Sequence, residues 1–140
     1  MKKRPSVKGA VLALCVLSSS AIAADGQTKI LSGLMAEAQS QSSTFKGFSV
    51  DRGRQPFLAK PASGKPETPS CTSCHTDSPN GVGQTRAGKA IEPMALSKTP
   101  ARYSDPEKVD KWFRRNCNSV LGRLCTAVEK GDFITFMKTR

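Results

Sequence analysis

Apolar residues recur at helical spacing in four separate stretches of the chain. Residues 29–38 carry four large apolar side chains on one helical face, and residues 50–59 repeat the pattern behind Ser49, a residue type that caps helices. Ser104 and Thr126 are each followed three positions later by a glutamate, as in a capping box, and each precedes a further apolar stripe. The pattern therefore predicts four helices.

The segments between these helices lack a sustained period. Residues 60–70 contain three prolines and one glycine, and residues 76–104 carry several of both. No stretch alternates apolar and polar residues as a half-buried strand would. The predicted fold class is therefore all-α with long loops.

The first 23 residues predict a cleavable signal peptide. Basic residues precede a short apolar stretch, residues 10–17, and Ala21-Ile22-Ala23 has the small-residue pattern of a cleavage site. The stretch is too short for a permanent membrane span, so no stable membrane insertion is expected. Cys15 is not interpreted as a lipid attachment site, because the bulky Leu14 stands where a small residue is needed.

The signal peptide would direct the chain to the periplasm. Cleavage after Ala23 would then leave an N-terminal helical extension, residues 24–48, and one domain, residues 49–140. It would also remove four basic residues and no acidic ones, so the formal net charge would fall from +11 to +7. A basic surface suits docking to an acidic protein partner, and a generally solvated surface explains it equally well. The sequence has no basic patch interleaved with aromatic residues, so no nucleic-acid partner is expected.

Residues 69–75 read P-S-C-T-S-C-H and contain C-x-x-C-H, the attachment motif of a c-type haem. In such a motif the thiols of Cys71 and Cys74 form thioethers with two haem vinyl groups, and His75 becomes an axial ligand of the iron. The chain has one such motif and one histidine. One covalently attached haem c is therefore predicted, and a second histidine ligand from this chain is excluded.

Two other sites could use these cysteines. A thioredoxin-like C-x-x-C requires a βαβ setting, which the hydrophobic pattern does not predict. A zinc site that also used Cys117 and Cys125 would need an unusual seven-residue gap in its second pair. In an oxidising compartment, Cys117 and Cys125 are instead expected to form a disulfide.

The residues alone leave open which ligand binds the other face of the iron. Methionine is the usual choice in electron-transfer cytochromes, and Met94 and Met137 are candidates, whereas Met35 precedes the haem motif and is read as core. Asn116 is a third candidate, because it continues the apolar stripe of the third helix directly before Cys117. An asparagine there can equally satisfy the end of a helix.

Three runs of sequence together resemble the Sphaeroides haem protein family. They are G-K-P-E-T-P-S-C-T-S-C-H, G-Q-T-R-A-G-K-A-I-E-P and V-D-K-W-F-R-R-N-C-N-S-V-L-G-R-L-C-T, and the resemblance covers about residues 49–140. Members are exported monohaem cytochromes c with a class I-like fold and a high-spin iron. The resemblance implies that Asn116 is the sixth ligand and that Cys117 and Cys125 form the disulfide. It also implies that Gly53 and Phe57 of the second helix cross the last helix near Gly131 and Phe133.

An amide oxygen is a hard, neutral and weak donor, which suits ferric iron better than ferrous iron. We therefore expect reduction to release Asn116 and to leave a site open to oxygen, nitric oxide or carbon monoxide. The resemblance also implies a dihaem cytochrome c as electron donor, and nitric oxide dioxygenation has been proposed for such proteins. The predicted function is thus redox-active gas binding, with two alternatives: nitric oxide dioxygenase activity, and a low-spin electron carrier ligated by Met94 or Met137.

Four further residues are expected to support the haem. Arg86 and Lys89 could neutralise its propionates, although both are equally explained as solvated loop charges. Trp112 and Phe113 are expected to line the pocket wall or to fill the core.

Overall fold

The computed structural model describes residues 16–140, and within them five helices and one short hairpin. The helices are α1 (Val16–Gln41), α2 (Val50–Leu58), α3 (Thr72–His75), α4 (Pro106–Leu121) and α5 (Ala127–Lys138), and the hairpin pairs β1 (Gly83–Gln84) with β2 (Ala90–Ile91) in antiparallel register. The predicted all-α class is confirmed. The hairpin is an addition to it, because two-residue strands are too short to show a period of two. Residues 1–15 of the predicted signal peptide lie outside the described residues.

The first helix is much longer than the ten residues predicted. α1 buries Ala23, Gln27, Ile30 and Ala38, which are four, three and eight positions apart and so lie on one helical face, and it packs against α5. The buried Gln27 amide donates hydrogen bonds to the carbonyl oxygens of Pro100 and Arg102, both at 2.8 Å. This contact fastens α1 to the loop that precedes α4.

The predicted crossing of α2 and the last helix is confirmed. α2 packs most extensively against α5, with Gly53 directly against the backbone of Asp132 and the ring of Phe57 at 6.2 Å from that of Phe133. The buried Asp132 carboxylate accepts hydrogen bonds from the Ser49 amide at 2.6 Å and from the Arg52 side chain at 2.7 and 2.9 Å. The buried charge is therefore fully partnered.

The ends of α4 and α5 follow standard capping chemistry. Asp105, rather than the predicted Ser104, caps α4, because Pro106 occupies the first helical position and the Asp105 carboxylate accepts from the Lys108 amide at 3.1 Å. The capping box of Thr126 and Glu129 at α5 is confirmed. Within residues 16–140, no helix combines the length and the apolar character that crossing a membrane would require.

An ion pair spans the loop between α4 and α5, and we expect it to make the folding stability depend on pH. Arg123 donates two hydrogen bonds to the Glu129 carboxylate, at 2.6 and 2.8 Å. These bonds lower the pKa of Glu129, so their stabilising contribution is present above its unfolded pKa of about 4.3 and is lost as pH falls through the lower folded pKa. Glu129→Gln should cost about 0.5 kcal/mol near neutral pH and less at about pH 3.

The measurement for this prediction is urea unfolding of wild type and Glu129→Gln at both pH values. Glutamine can still accept the hydrogen bond that Glu129 takes from the Thr126 amide, at 2.8 Å, so the variant keeps the cap and removes the charge. A difference in unfolding free energy that persists unchanged in acid would contradict the assignment to the ion pair.

Candidate functional site

A cavity of about 710 Å³ lies between the C-x-x-C-H segment and α4. Cys71, Cys74, His75 and Asn116 all line it. Segments far apart in sequence therefore meet around one space, among them α3, the loop from 92 to 105, α4 and the first half of α5. The candidate attachment residues and the candidate sixth ligand share this cavity.

The haem motif forms the single turn of α3. The Ser70 hydroxyl accepts from the Ser73 amide at 3.1 Å and holds the start of the turn. Neither Cys71 nor Cys74 is joined to another described cysteine. Behind the motif, Gly83 of β1 lies so close to the Cys74 carbonyl that a Cβ atom would collide with it. The hairpin therefore packs directly against α3.

His75 is the only histidine, and its surroundings favour the neutral imidazole. Its Nδ1 atom is buried and has no hydrogen-bond partner among the described residues. Burial, and then the nearby Arg102 cation, lower the pKa of His75. A neutral imidazole with an available nitrogen is the form that binds metal ions.

α4 forms the wall that carries Asn116. Trp112, Phe113 and Asn116 all line the cavity, as expected from their spacing of three and four residues. The Phe113 ring meets the Phe133 ring edge-on at 5.6 Å, whereas Trp112 stays half-exposed under the Arg115 guanidinium at 5.0 Å. The predicted pocket-wall position of Trp112 and Phe113 agrees with this geometry.

The predicted disulfide is present and fixes the backbone next to Asn116. Cys117 and Cys125 are bonded, and both line the cavity. The bond closes the turn after α4, which ends at Gly122 with φ 67°. Because these two cysteines are joined, a four-cysteine zinc site does not form, and the described residues contain no other cluster of His, Cys, Asp or Glu suited to a metal ion.

The methionines divide by position. Met94 lines the cavity and is also part of the core cluster with Phe57, Phe136 and Met137. Met137 is fully buried and lies outside the cavity lining, as does Met35 on α1. Of the two methionine alternatives for the sixth position, Met94 is therefore the one with access to this space.

The candidate propionate partners do not lie on the cavity wall. Arg86 and Lys89 are exposed on the β1–β2 hairpin, with Arg86 Nη1 at 4.0 Å from a Glu67 carboxylate oxygen. Arg102 and Lys108 line the cavity instead, and the sequence interpretation missed both. Lys108 lies in the first turn of α4, so its position after Pro106 could have suggested that it lines the cavity. No local sequence signal indicates the same for Arg102.

The cavity residues fit a covalently bound haem. Two thiols and the His75 imidazole line the cavity, aromatic rings form part of its wall, and the Arg102 and Lys108 cations offer charge for carboxylate groups. This donor set matches the attachment, axial ligation and enclosure that a c-type haem requires.

Comparisons with known proteins agree with this site. A family described as a domain of unknown function, DUF1924, matches residues 43–137. The chain is 43% identical over 123 residues to the cytochrome c-type protein SHP of Cereibacter sphaeroides, covering 87% of this chain and 91% of that protein. The alignment therefore includes the C-x-x-C-H motif within a nearly full-length match.

Solved structures show the same fold. Oxidised SHP, described as an oxygen-binding cytochrome c, superposes with a TM-score of 0.74 at 42% identity over 81% of this chain and 96% of that one. The solution structure of cytochrome c'' from Methylophilus methylotrophus gives 0.71 at 30% identity over 83% and 94%. The chain therefore belongs to the family of c-type cytochromes that includes SHP and cytochrome c''.

Proposed function

We propose that this chain is an exported cytochrome with one haem c that binds small diatomic gases when a labile Asn116 ligand leaves the iron. The observation that carries the proposal is the shared cavity: Cys71, Cys74 and His75 line it together with Asn116 of α4. When bound, the haem supplies an iron that changes oxidation state and binds oxygen, nitric oxide or carbon monoxide.

The chain's residues divide the work of holding the haem. Cys71 and Cys74 would attach it covalently through thioethers, so its retention would not depend on Asn116. His75 would bind the iron in its neutral form, which its burial favours. Arg102 and Lys108 are placed to neutralise propionates, and Arg86 and Lys89 remain candidates for the same role from the hairpin.

Asn116 is suited to be an iron ligand that can dissociate. Its amide oxygen is a weaker donor to reduced iron than a methionine thioether. Cys117 and the disulfide hold the adjacent backbone, so the side chain can detach without unfolding α4. Two relatives support this interpretation: SHP is described as oxygen-binding, and the cytochrome c'' structure is described as giving insights into haem-ligand detachment.

We further propose that the protein works in the periplasm and receives electrons from an acidic redox protein such as a dihaem cytochrome c. The signal-peptide pattern of residues 1–23 and the basic mature chain, residues 24–140, support this placement. An excess of positive charge accelerates encounter with an acidic partner at low salt.

The direct test is absorption spectroscopy of the mature, haem-loaded protein. We expect the dithionite-reduced form to be high-spin and to change its spectrum immediately when carbon monoxide is added. A low-spin reduced spectrum that is insensitive to carbon monoxide would contradict gas binding and would indicate a methionine-ligated electron carrier.

Replacing Asn116 with alanine should change the spectrum of the oxidised protein and leave carbon monoxide binding to the reduced form intact. Without a competing side chain, the ferric haem should bind cyanide about tenfold more tightly, as expected if the lost ligand contributes about 1.4 kcal/mol. Titration with cyanide, followed by absorption, measures this change.

The matched control for that prediction is Asn118→Ala. Asn118 is exposed on α4, two residues further on, and is not part of the cavity lining. It removes the same amide from the same helix, so it should leave both the ferric spectrum and cyanide affinity unchanged. Identical behaviour of the two variants would mean that Asn116 is not an iron ligand.

A further inference from the structure

Tyr103 has an uncommon backbone conformation at the cavity wall. Its φ is 58°, in the left-handed region that residues other than glycine and asparagine rarely adopt. The residue is largely enclosed, and its ring packs edge-on against Phe133 at 6.4 Å. This conformation turns the side chain toward the segment around Met94.

The Tyr103 hydroxyl is directed at Met94. It donates a hydrogen bond to the Met94 carbonyl oxygen at 3.2 Å and lies 4.0 Å from the Met94 sulfur, Sδ. Burial raises the pKa of Tyr103 far above neutrality, so the hydroxyl remains a donor. One side chain therefore contacts both the backbone and the thioether of this methionine.

The neighbouring residues restrain the same segment. Arg102 donates from Nε to the Pro93 carbonyl at 2.6 Å and from Nη2 to the Glu92 carbonyl at 2.7 Å, and the Thr99 hydroxyl reaches Pro93 at 3.0 Å. Gln27 of α1 in turn holds the carbonyl of Arg102. The loop that presents Tyr103 is thus fixed to α1 on one side and to the Met94 segment on the other.

This restraint matters because Met94 has access to the cavity. A thioether binds haem iron in both oxidation states, as in electron-transfer cytochromes, and would close the site that Asn116 leaves open. Met94 packs in the core cluster and is only 8% exposed, yet it lines the same cavity as His75 and Asn116. A small movement of its side chain would separate it from the core cluster.

We propose that Tyr103 is a positioning residue that keeps the Met94 thioether in the core cluster and so reserves the sixth haem position for Asn116 and for gases. The proposal rests on the function proposed above. Tyr103 would thus determine whether the protein binds gases or carries electrons, although it does not itself bind the iron.

The test replaces Tyr103 with phenylalanine in the full, haem-loaded protein. Phenylalanine keeps the ring against Phe133 and removes only the hydroxyl. We expect part of the ferric haem to become methionine-ligated, which produces a sulfur-to-iron charge-transfer band in the near-infrared and raises the reduction potential. If about nine tenths of the molecules change ligand, the apparent affinity of the reduced form for carbon monoxide falls about tenfold.

Rescue by a second substitution separates positioning from general damage. Met94→Leu alone should resemble wild type, because leucine fills the core without offering a ligand. The double variant Tyr103→Phe with Met94→Leu should lose the new band and regain carbon monoxide affinity. A change that persists in the double variant would overturn the proposal, because it would not come from Met94.

The outcomes also distinguish this proposal from the proposed function. Wild type that is already low-spin and indifferent to carbon monoxide would contradict the proposed function. An open site in wild type, with an unchanged spectrum in Tyr103→Phe, would overturn only the role of Tyr103. Should that variant not fold, guanidinium below the unfolding transition of wild type supplies the second measurement: the methionine band should appear there and be absent from Met94→Leu.

Discussion

Replacing Cys71 and Cys74 together with serine is expected to abolish covalent haem attachment and to remove most of the folded population. The two thiols lie on the cavity wall beside His75, and serine cannot form thioethers. Without the haem, the walls of the cavity of about 710 Å³ would lose the apolar contacts that the haem makes with them. Such a loss is large beside the whole folding free energy of a typical domain, about 5–15 kcal/mol.

Two measurements follow this effect. Haem-dependent peroxidase staining on a denaturing gel reports covalent attachment, and far-ultraviolet circular dichroism reports helix content. The other cysteine pair is the matched control: Cys117→Ser with Cys125→Ser removes a disulfide from the same cavity wall but leaves the attachment residues in place.

The control variant should keep its covalent haem and lose a limited amount of stability. Its nine-residue ring restrains the unfolded chain by roughly 2.6 kcal/mol in the loop-entropy model. Covalent haem retained by the Cys71 and Cys74 double variant would contradict the assigned attachment. Loss of haem from both pairs would show that attachment depends on the disulfide and not on the motif alone.

Local chemistry made much of this site predictable. C-x-x-C-H is a contiguous motif, so Cys71, Cys74 and His75 could be predicted as haem-binding residues without any knowledge of the fold. Asn116 and Cys117 were found through helical spacing and resemblance, and they do lie on the cavity wall. Short motifs and helix faces depend on neighbours in sequence, which the sequence contains.

The parts that sequence reasoning missed depend on contacts between distant segments. Arg102 and Tyr103 lie in a stretch without a period, and their roles arise from hydrogen bonds to the carbonyls of residues 92–94 and from the Gln27 amide of α1. The length of α1 was underestimated for a similar reason. Between Ala23 and residue 29, its helical state is supported by the tertiary packing of Ala23 and Gln27 rather than by a broad apolar face.

The cap predicted for α4, Ser104, was wrong for a local reason. Ser104 and Asp105 are both good caps, and Ser104 with Glu107 fits the capping-box spacing. Pro106 decides between them, because it fits the first helical position directly after Asp105. Ser104 then becomes part of the loop, where its carbonyl lies close to Gly26 of α1.

Replacing Gly53 with alanine is expected to destabilise the protein by about 3 kcal/mol or more, although alanine is the better helix former. Helix propensity alone would favour alanine by about 1 kcal/mol. At Gly53, however, a Cβ atom would collide with the Asp132 carbonyl of α5, and the Phe136 Cβ is also too close. A backbone atom cannot rotate away, so the two helices must separate, and overpacking of this kind costs more than propensity returns.

The matched control for this prediction is Gly33→Ala in the exposed part of α1, where a new Cβ meets no atom within 4 Å. There the propensity term acts alone, and the variant should be more stable by about 0.5–1 kcal/mol. Denaturant unfolding of the haem-loaded proteins measures both changes. Because α2 and α5 bring Phe57 and Phe133 together beneath the cavity, Gly53→Ala should also loosen the wall around the haem. Equal stabilisation by the two substitutions would mean that the helices do not cross at Gly53.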